Sequence, residues 1–140
     1  MREKILGLLG LMRRADAIVP GEDSGLDTVR AGKAKLLLLA SDISDNARRK
    51  ADNALNGRSA ERIELFIPRE ELGPAIGLGS CSVAAVTDLG FAEALMKLLA
   101  DYAPDDYGEA AERVCARREK AARRKAQKGS KRVGTRRKNV

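Results

Sequence analysis

The order of apolar segments predicts an α/β sandwich of about four strands over residues 1–103, followed over 104–140 by a basic tail, helical at first and then disordered. Three observations carry this. Strand-length apolar runs alternate with segments of helical period. One run, "AKLLLLAS", has no polar interruption, as expected of a central strand covered on both faces. Charge divides the chain: residues 113–140 hold 13 Lys and Arg against the single acid Glu119, whereas 1–112 hold 14 basic and 19 acidic residues.

In "EKILGLLGLMRRA", Ile5, Leu8, Leu9 and Met12 share one helical face, and Gly7 and Gly10 suit close helix packing. "AIV" before Pro20 is a short strand. Gly21 to Ala31 is a second helix with acids in its first turn and Arg30 in its last, matching the macrodipole, and Gly32 stops it. After the central strand, Ser44 opens a third helix, "SDNARRKADNAL", whose Arg48, Arg49 and Lys50 face water; Gly57 closes it. "RIELFI" alternates as a strand should. "REELGPAIG" is a short helix containing Pro74, "CSVAAVTD" a fourth strand, and "GFAEALMKLLADY" a helix with Phe91, Leu95, Leu98 and Leu99 along one side. Residues 109–127 favour helix by propensity but show almost no apolar stripe to dock it, and "KGSKRVGTRRKNV" has nothing to bury.

Composition narrows the function. The chain has no histidine, which removes the commonest general base and metal ligand. It contains no GxxxxGK[ST] loop, CxxC pair or GxSxG elbow, so no enzyme, cofactor or metal is implied. "GLGSC" precedes a strand, whereas phosphate cradles follow one. Asp42 and Asp88 lie just past strand ends, where turns and caps also use Asp. Two Phe, two Tyr and no Trp leave little for stacking several bases. Cys81 and Cys115 have no paired spacing, which fits two structural thiols in a reducing cytoplasm. No apolar run has the length of a membrane span. The single-signed tail attracts phosphate backbones without reading sequence, and Arg117, Arg118, Arg123 and Arg124 are its candidate contacts.

Five blocks in order, "LLGLMRRA", "VPGED", "RAGKAKLLLLASD", "ELGPAIG" and "VAAVTDLGFA", resemble the kink-turn-binding ribosomal protein superfamily, and among its members the small bacterial YlxQ type. The resemblance covers about residues 4–100 and implies a three-layer α/β/α sandwich with a mixed four-stranded sheet. It also implies a non-enzymatic protein that binds structured RNA of the kink-turn kind. Ribosomal RNA and the ribosome are the partners it points to.

In that family the loop before the second helix and the helix's first turn approach tandem sheared G·A pairs. Family binders commonly show a Gly-Thr-Asn-Glu run with a Lys three residues after the Glu; here Gly21 matches, and Glu22, Asp23, Ser24 and Asp27 stand at the following positions. A carboxylate can accept hydrogen bonds from a guanine edge, so Asp23 is compatible with RNA. Arg30, Lys33 and Lys35 would touch phosphates. A second contact loop corresponds to Leu78, Gly79, Ser80, Cys81 and Ser82, with residues 79–81 against an unstacked nucleotide. The alternative reading is a protein-interaction adaptor of the same fold whose RNA affinity lies only in the tail. A substrate-binding module of an RNA-modifying enzyme is the third reading, for which the chain lacks a catalytic domain.

Overall fold

The computed structural model describes the backbone of residues 2–139 and the side chains of residues 2–126. Ten elements follow one another: α1 (Arg2–Arg14), β1 (Ile18–Pro20), α2 (Glu22–Arg30), β2 (Leu36–Leu39), α3 (Asp45–Leu55), β3 (Glu61–Glu64), α4 (Arg69–Ala75), β4 (Val83–Val86), α5 (Leu89–Tyr102) and α6 (Pro104–Asn139). The sheet order is β1-β4-β2-β3, with β4 antiparallel to both β1 and β2 and β3 parallel to β2. The sheet is therefore mixed.

The uninterrupted leucines of β2 are explained by the two cores. Leu36 and Leu38 point into a cluster with Ile5, Leu9, Met12, Leu72, Leu95 and Leu99, whereas Leu37 and Leu39 point into one with Leu26, Val29, Ala47 and Ala51. Helices α1, α4, α5 and α6 cover the first face; α2 and α3 cover the second. Side chains alternate across a pleated sheet, so a strand buried on both faces must be apolar at every position.

Two short-range devices fix helix placement. The Ser44 side chain accepts the Ala47 N–H at 3.1 Å and caps α3, and Asp88 accepts the Phe91 N–H at 2.9 Å and caps α5. Asp42 accepts the Arg69 N–H at 2.8 Å at the start of α4. Both aspartates that follow strands are thus engaged in turns and caps. Of the glycines in α1, Gly10 lies where a Cβ would come within 3.1 Å of the Ala75 carbonyl oxygen, so it permits α1 to pack on α4; Gly7 has open space. Pro74 stands one residue from the end of α4, and its carbonyl accepts the Gly77 N–H.

Helix α6 departs from the sequence expectation in two ways. Tyr107, Ala110, Ala111 and Val114, spaced i, i+3, i+4, i+7, are buried in the first core, and the Tyr107 hydroxyl donates to the Glu64 carbonyl at 2.8 Å. Burial pushes the Tyr107 phenol above its usual range, keeping it a neutral donor. Arg113 holds Glu61 with two hydrogen bonds, at 2.8 and 3.1 Å. The packed body accordingly continues past residue 103 to about Arg118. Beyond it, the run expected to be disordered continues as helical backbone to Asn139; its side chains lie outside the described residues. No described helix is long and apolar enough to cross a membrane.

Candidate nucleic-acid interface

Two loops far apart in sequence meet at one end of the sheet. Gly21, at φ 103°, turns the chain out of β1 into α2, a conformation that L side chains rarely adopt. Its N–H donates to the Val83 carbonyl at 2.9 Å, tying it to the start of β4. The Cys81 thiol, itself buried, donates to the same carbonyl at 3.1 Å. Burial pushes the Cys81 thiol above its ordinary pKa, with backbone hydrogen bonds from Gly21 and to Val83 pulling the other way. The Gly21 turn and the 78–82 loop therefore form one continuous edge.

Gly73 sets the height of that edge. A Cβ at this position would lie 2.5 Å from Ser80 Cα and 2.7 Å from Ser80 N, so the loop rests directly on α4. Gly77, at φ 82°, then turns the chain toward the loop. These are the two glycines of "ELGPAIG", and both have a steric reason. On the outer side of the loop Gly79 and Ser80 are exposed, and Leu78 is a large apolar side chain left 38% exposed. Cys81 faces inward, so the expectation that it touches a nucleotide gives way to a role in joining the loops. Leu78 belongs to the contact loop that the resemblance implies but not to residues 79–81 set against a nucleotide; its signal in the sequence is an apolar residue between two glycines, where no helix or strand would bury it.

The first turn of α2 is open. Gly21 offers no side-chain cap, and Asp23 and Ser24 are exposed. Glu22 lies 3.4 Å from Lys50 of α3, which gives the edge a cation that sequence position alone had assigned to solvent. Arg48 is half-buried and pairs with Glu64 at 2.6 Å, again not simply solvated. Asp27 pairs with Arg30 at 3.1 Å one turn along α2. The acid that stands where the family pattern has Lys thus has a cation beside it, in a weak surface pair whose side chains are both more than half exposed.

The remaining cations belong elsewhere. Lys35 precedes β2, where its N–H donates to the Val86 carbonyl and its carbonyl accepts the Glu61 N–H. Register places Leu36 beside Val86 and Glu61, at the end of the sheet opposite Val83 and Gly21. Helix α2 carries the chain from one end to the other, about 12 Å at 1.5 Å per residue. Lys33 and Lys35 are thus at the far end, as are Arg117, which donates to the Ser59 carbonyl at 2.8 Å, and Arg124. Arg118 pairs with Glu93 at 2.6 Å, while Arg123 is exposed. The structure brings together Gly21, Glu22, Asp23, Ser24, Gly79, Ser80 and Cys81, and separates them from Arg30, Lys33, Lys35 and the α6 arginines.

The Arg118 hydrogen bond is the main cause that holds the Glu93 carboxyl below its ordinary range; Lys97 adds to it. Replacing Arg118 by Gln is expected to move the Glu93 titration midpoint upward in a carboxyl-detected NMR pH series. Because the folded pKa is depressed, this contribution to stability is present above the ordinary Glu range and lost as pH falls through the folded value.

Residues 3–96 match the model of the ribosomal protein L7Ae/L30e/S12e/Gadd45 family. The chain belongs to this family. Two relatives share its sequence over most of their length: the RNA-binding protein YlxQ of Bacillus subtilis (strain 168), 40% identical over 94 residues, covering 66% of this chain and 91% of the relative, and the RNA-binding protein YlxQ of Enterococcus faecium, 31% identical over 98 residues, covering 70% and 93%. Among solved structures, a protein with unknown function from Bacillus halodurans C superposes with a TM-score of 0.63 at 32% identity, covering 68% of this chain and 95% of its own. The Giardia lamblia 15.5kD RNA binding protein superposes with a TM-score of 0.55 at 25% identity, covering 71% and 88%. The three-layer L7Ae-type α/β/α sandwich implied by the sequence blocks is the fold of this family member, and α6 lies outside the matched residues 3–96.

Proposed function

We propose that this L7Ae-family chain is a non-enzymatic protein that binds structured RNA of the kink-turn type through the edge made by Gly21–Ser24 and residues 78–80. The observation that carries the reading is the meeting of these two loops at Cys81 and Val83, which presents an open helix turn and an exposed Leu78 on one surface. Membership in the family and the similarity to proteins named as RNA-binding support it.

In this mechanism Asp23 and Ser24 accept hydrogen bonds from the N–H groups of a guanine edge. The uncapped N–H groups of α2 meet a sugar or phosphate oxygen. Leu78 packs on an unstacked base. Lys50 offsets the repulsion between Glu22 and the phosphates. Specificity comes from shape, because only a sharply bent RNA presents base edges and an unstacked nucleotide to so short a protein edge. Ribosomal RNA in the cytoplasm is the substrate class we favour. The adaptor reading draws on Asp27 and on the net acidity of residues 1–112; Asp27 has Arg30 beside it at 3.1 Å.

The test is a titration of the full chain against a kink-turn RNA and the same duplex without its bulge. The kinked RNA is expected to bind at least tenfold more tightly. Asp23→Ala is expected to cut that preference about five- to tenfold, the loss of one hydrogen bond worth about 1–1.4 kcal/mol net. Equal affinity of the unmodified protein for both RNAs would remove the kink-turn reading.

A further inference from the structure

The docking stripe of α6 changes character along its length. Tyr107, Ala110, Ala111 and Val114 are buried against the body; the next positions on that side are Arg117, Lys120, Ala121 and Arg124. These four line a cleft of about 340 Å³ with Lys35, Ser59 and Leu89. Lys35 comes from the start of β2, Ser59 from the segment before β3, Leu89 from the first turn of α5 and the other four from α6, so the cleft exists only because α6 docks. Its lining carries four cations and, among the described residues, no acid.

The neighbouring charges sharpen the contrast. Arg113 is spent on Glu61 and Arg118 on Glu93, each at 2.8 Å or less, and none of the four lines the cleft. Arg117 donates one N–H to the Ser59 carbonyl, which fixes its guanidinium at the wall and leaves the rest of the fork for oxygen acceptors. Ala121 and Leu89 supply a small apolar floor. Convergent Lys and Arg held apart by such a floor suit successive phosphates of a nucleic-acid backbone, and nothing in the lining would read a base.

We propose that this cleft is a second RNA contact, binding backbone phosphates at the end of the sheet opposite Gly21. The two surfaces are separated by the length of β2, roughly 16 Å from Lys35 to Ala40 at about 3.3 Å per residue. The second contact therefore takes backbone phosphates about 16 Å from those at the Gly21 edge. The docked part of α6 thus positions a phosphate site, rather than only trailing a flexible charge. The inference rests on RNA binding by this chain but not on kink-turn preference.

The test uses the full chain and its Lys35→Gln/Lys120→Gln/Arg124→Gln variant, which leaves the Arg117 contact to Ser59 in place. A control, Lys4→Gln/Arg13→Gln/Arg14→Gln, removes the same charge from exposed positions on α1. Affinity for plain and kinked RNA is measured over a salt series. The cleft variant is expected to flatten the slope of log K against log salt by about 2 to 3 on both RNAs, while their affinity ratio stays unchanged. The control should change the slope by less than about 1.

An equal change in the control would mean net charge alone acts, and would overturn the proposal. So would an unchanged slope in the cleft variant, or competition at the cleft by polyglutamate combined with no dependence of RNA affinity on these cations. If the unmodified protein shows no preference for kinked RNA but the slope still drops by 2 to 3, the cleft stands and the kink-turn reading alone fails.

Discussion

Gly73→Ala is expected to destabilise the protein by about 2–3 kcal/mol, although alanine is the better helix former. The added Cβ would lie 2.5 to 2.8 Å from three backbone atoms of Ser80, and backbone cannot step aside as a flexible side chain can. Either α4 moves away from the sheet or the 78–82 loop lifts from its seat. The loop is tied through the Cys81 N–H to the Arg69 carbonyl at 3.1 Å and through its thiol to Val83. The strain therefore reaches the surface next to Gly21. Thermal melts should show a midpoint lower by roughly 6–12 °C, and titrations should show reduced discrimination between kinked and straight RNA. Gly79→Ala is the matched comparison: a Cβ there has nothing within 4 Å, and its stability should stay within about 0.5 kcal/mol of the parent. Equal melting of the two variants would show that the loop does not rest on Gly73.

Val114→Asp is expected to cost at least about 3 kcal/mol, because it places a carboxyl group at a fully buried position among Tyr107, Ala110 and Ala111. Urea unfolding should show a midpoint displaced well below the parent. Ala122→Asp, at an exposed position on the same helix, should stay within about 0.5 kcal/mol. A Val114→Asp protein as stable as the parent would mean that the body ends near Tyr102, as charge and composition predict. The same packing bears on truncation: a chain cut at Glu112 would lose Val114, the Glu61 partner Arg113 and the Arg117 contact to Ser59, so its RNA affinity would mix unfolding with loss of charge.

Much of the fold was legible because burial leaves a local trace. The leucines of β2 announce a strand covered on both faces. Ser44 and Asp88 announce helix starts, and the gap between Pro20 and Gly32 frames α2. The docking of α6 was legible only through spacing. Tyr107, Ala110, Ala111 and Val114 are mostly small, so an average over a segment crowded with Arg and Lys hides them, although their i, i+3, i+4, i+7 pattern is complete.

The candidate site divides in the same manner. Gly21, Asp23 and Ser24 could be named from a local pattern. The role of Cys81 could not, since its direction depends on β4 pairing beside β1. Lys33 and Lys35 follow Ser24 closely in sequence, but a helix of nine residues moves the chain to the other end of the sheet.

The sequence by itself determined which segments of residues 1–103 are helix and strand, that the sheet is buried on both faces, and that one short acidic helix start follows a glycine. These are properties of residues within a few positions of one another, where periodicity and capping act. Tertiary structure alone decided which of the charged residues share a surface. Gly21 meets Cys81 and Lys35 meets Arg124 because packing and strand register set those distances, whereas the Asp27–Arg30 pair is an i,i+3 contact within one helical turn, the limit of what a chain's order of charges contains.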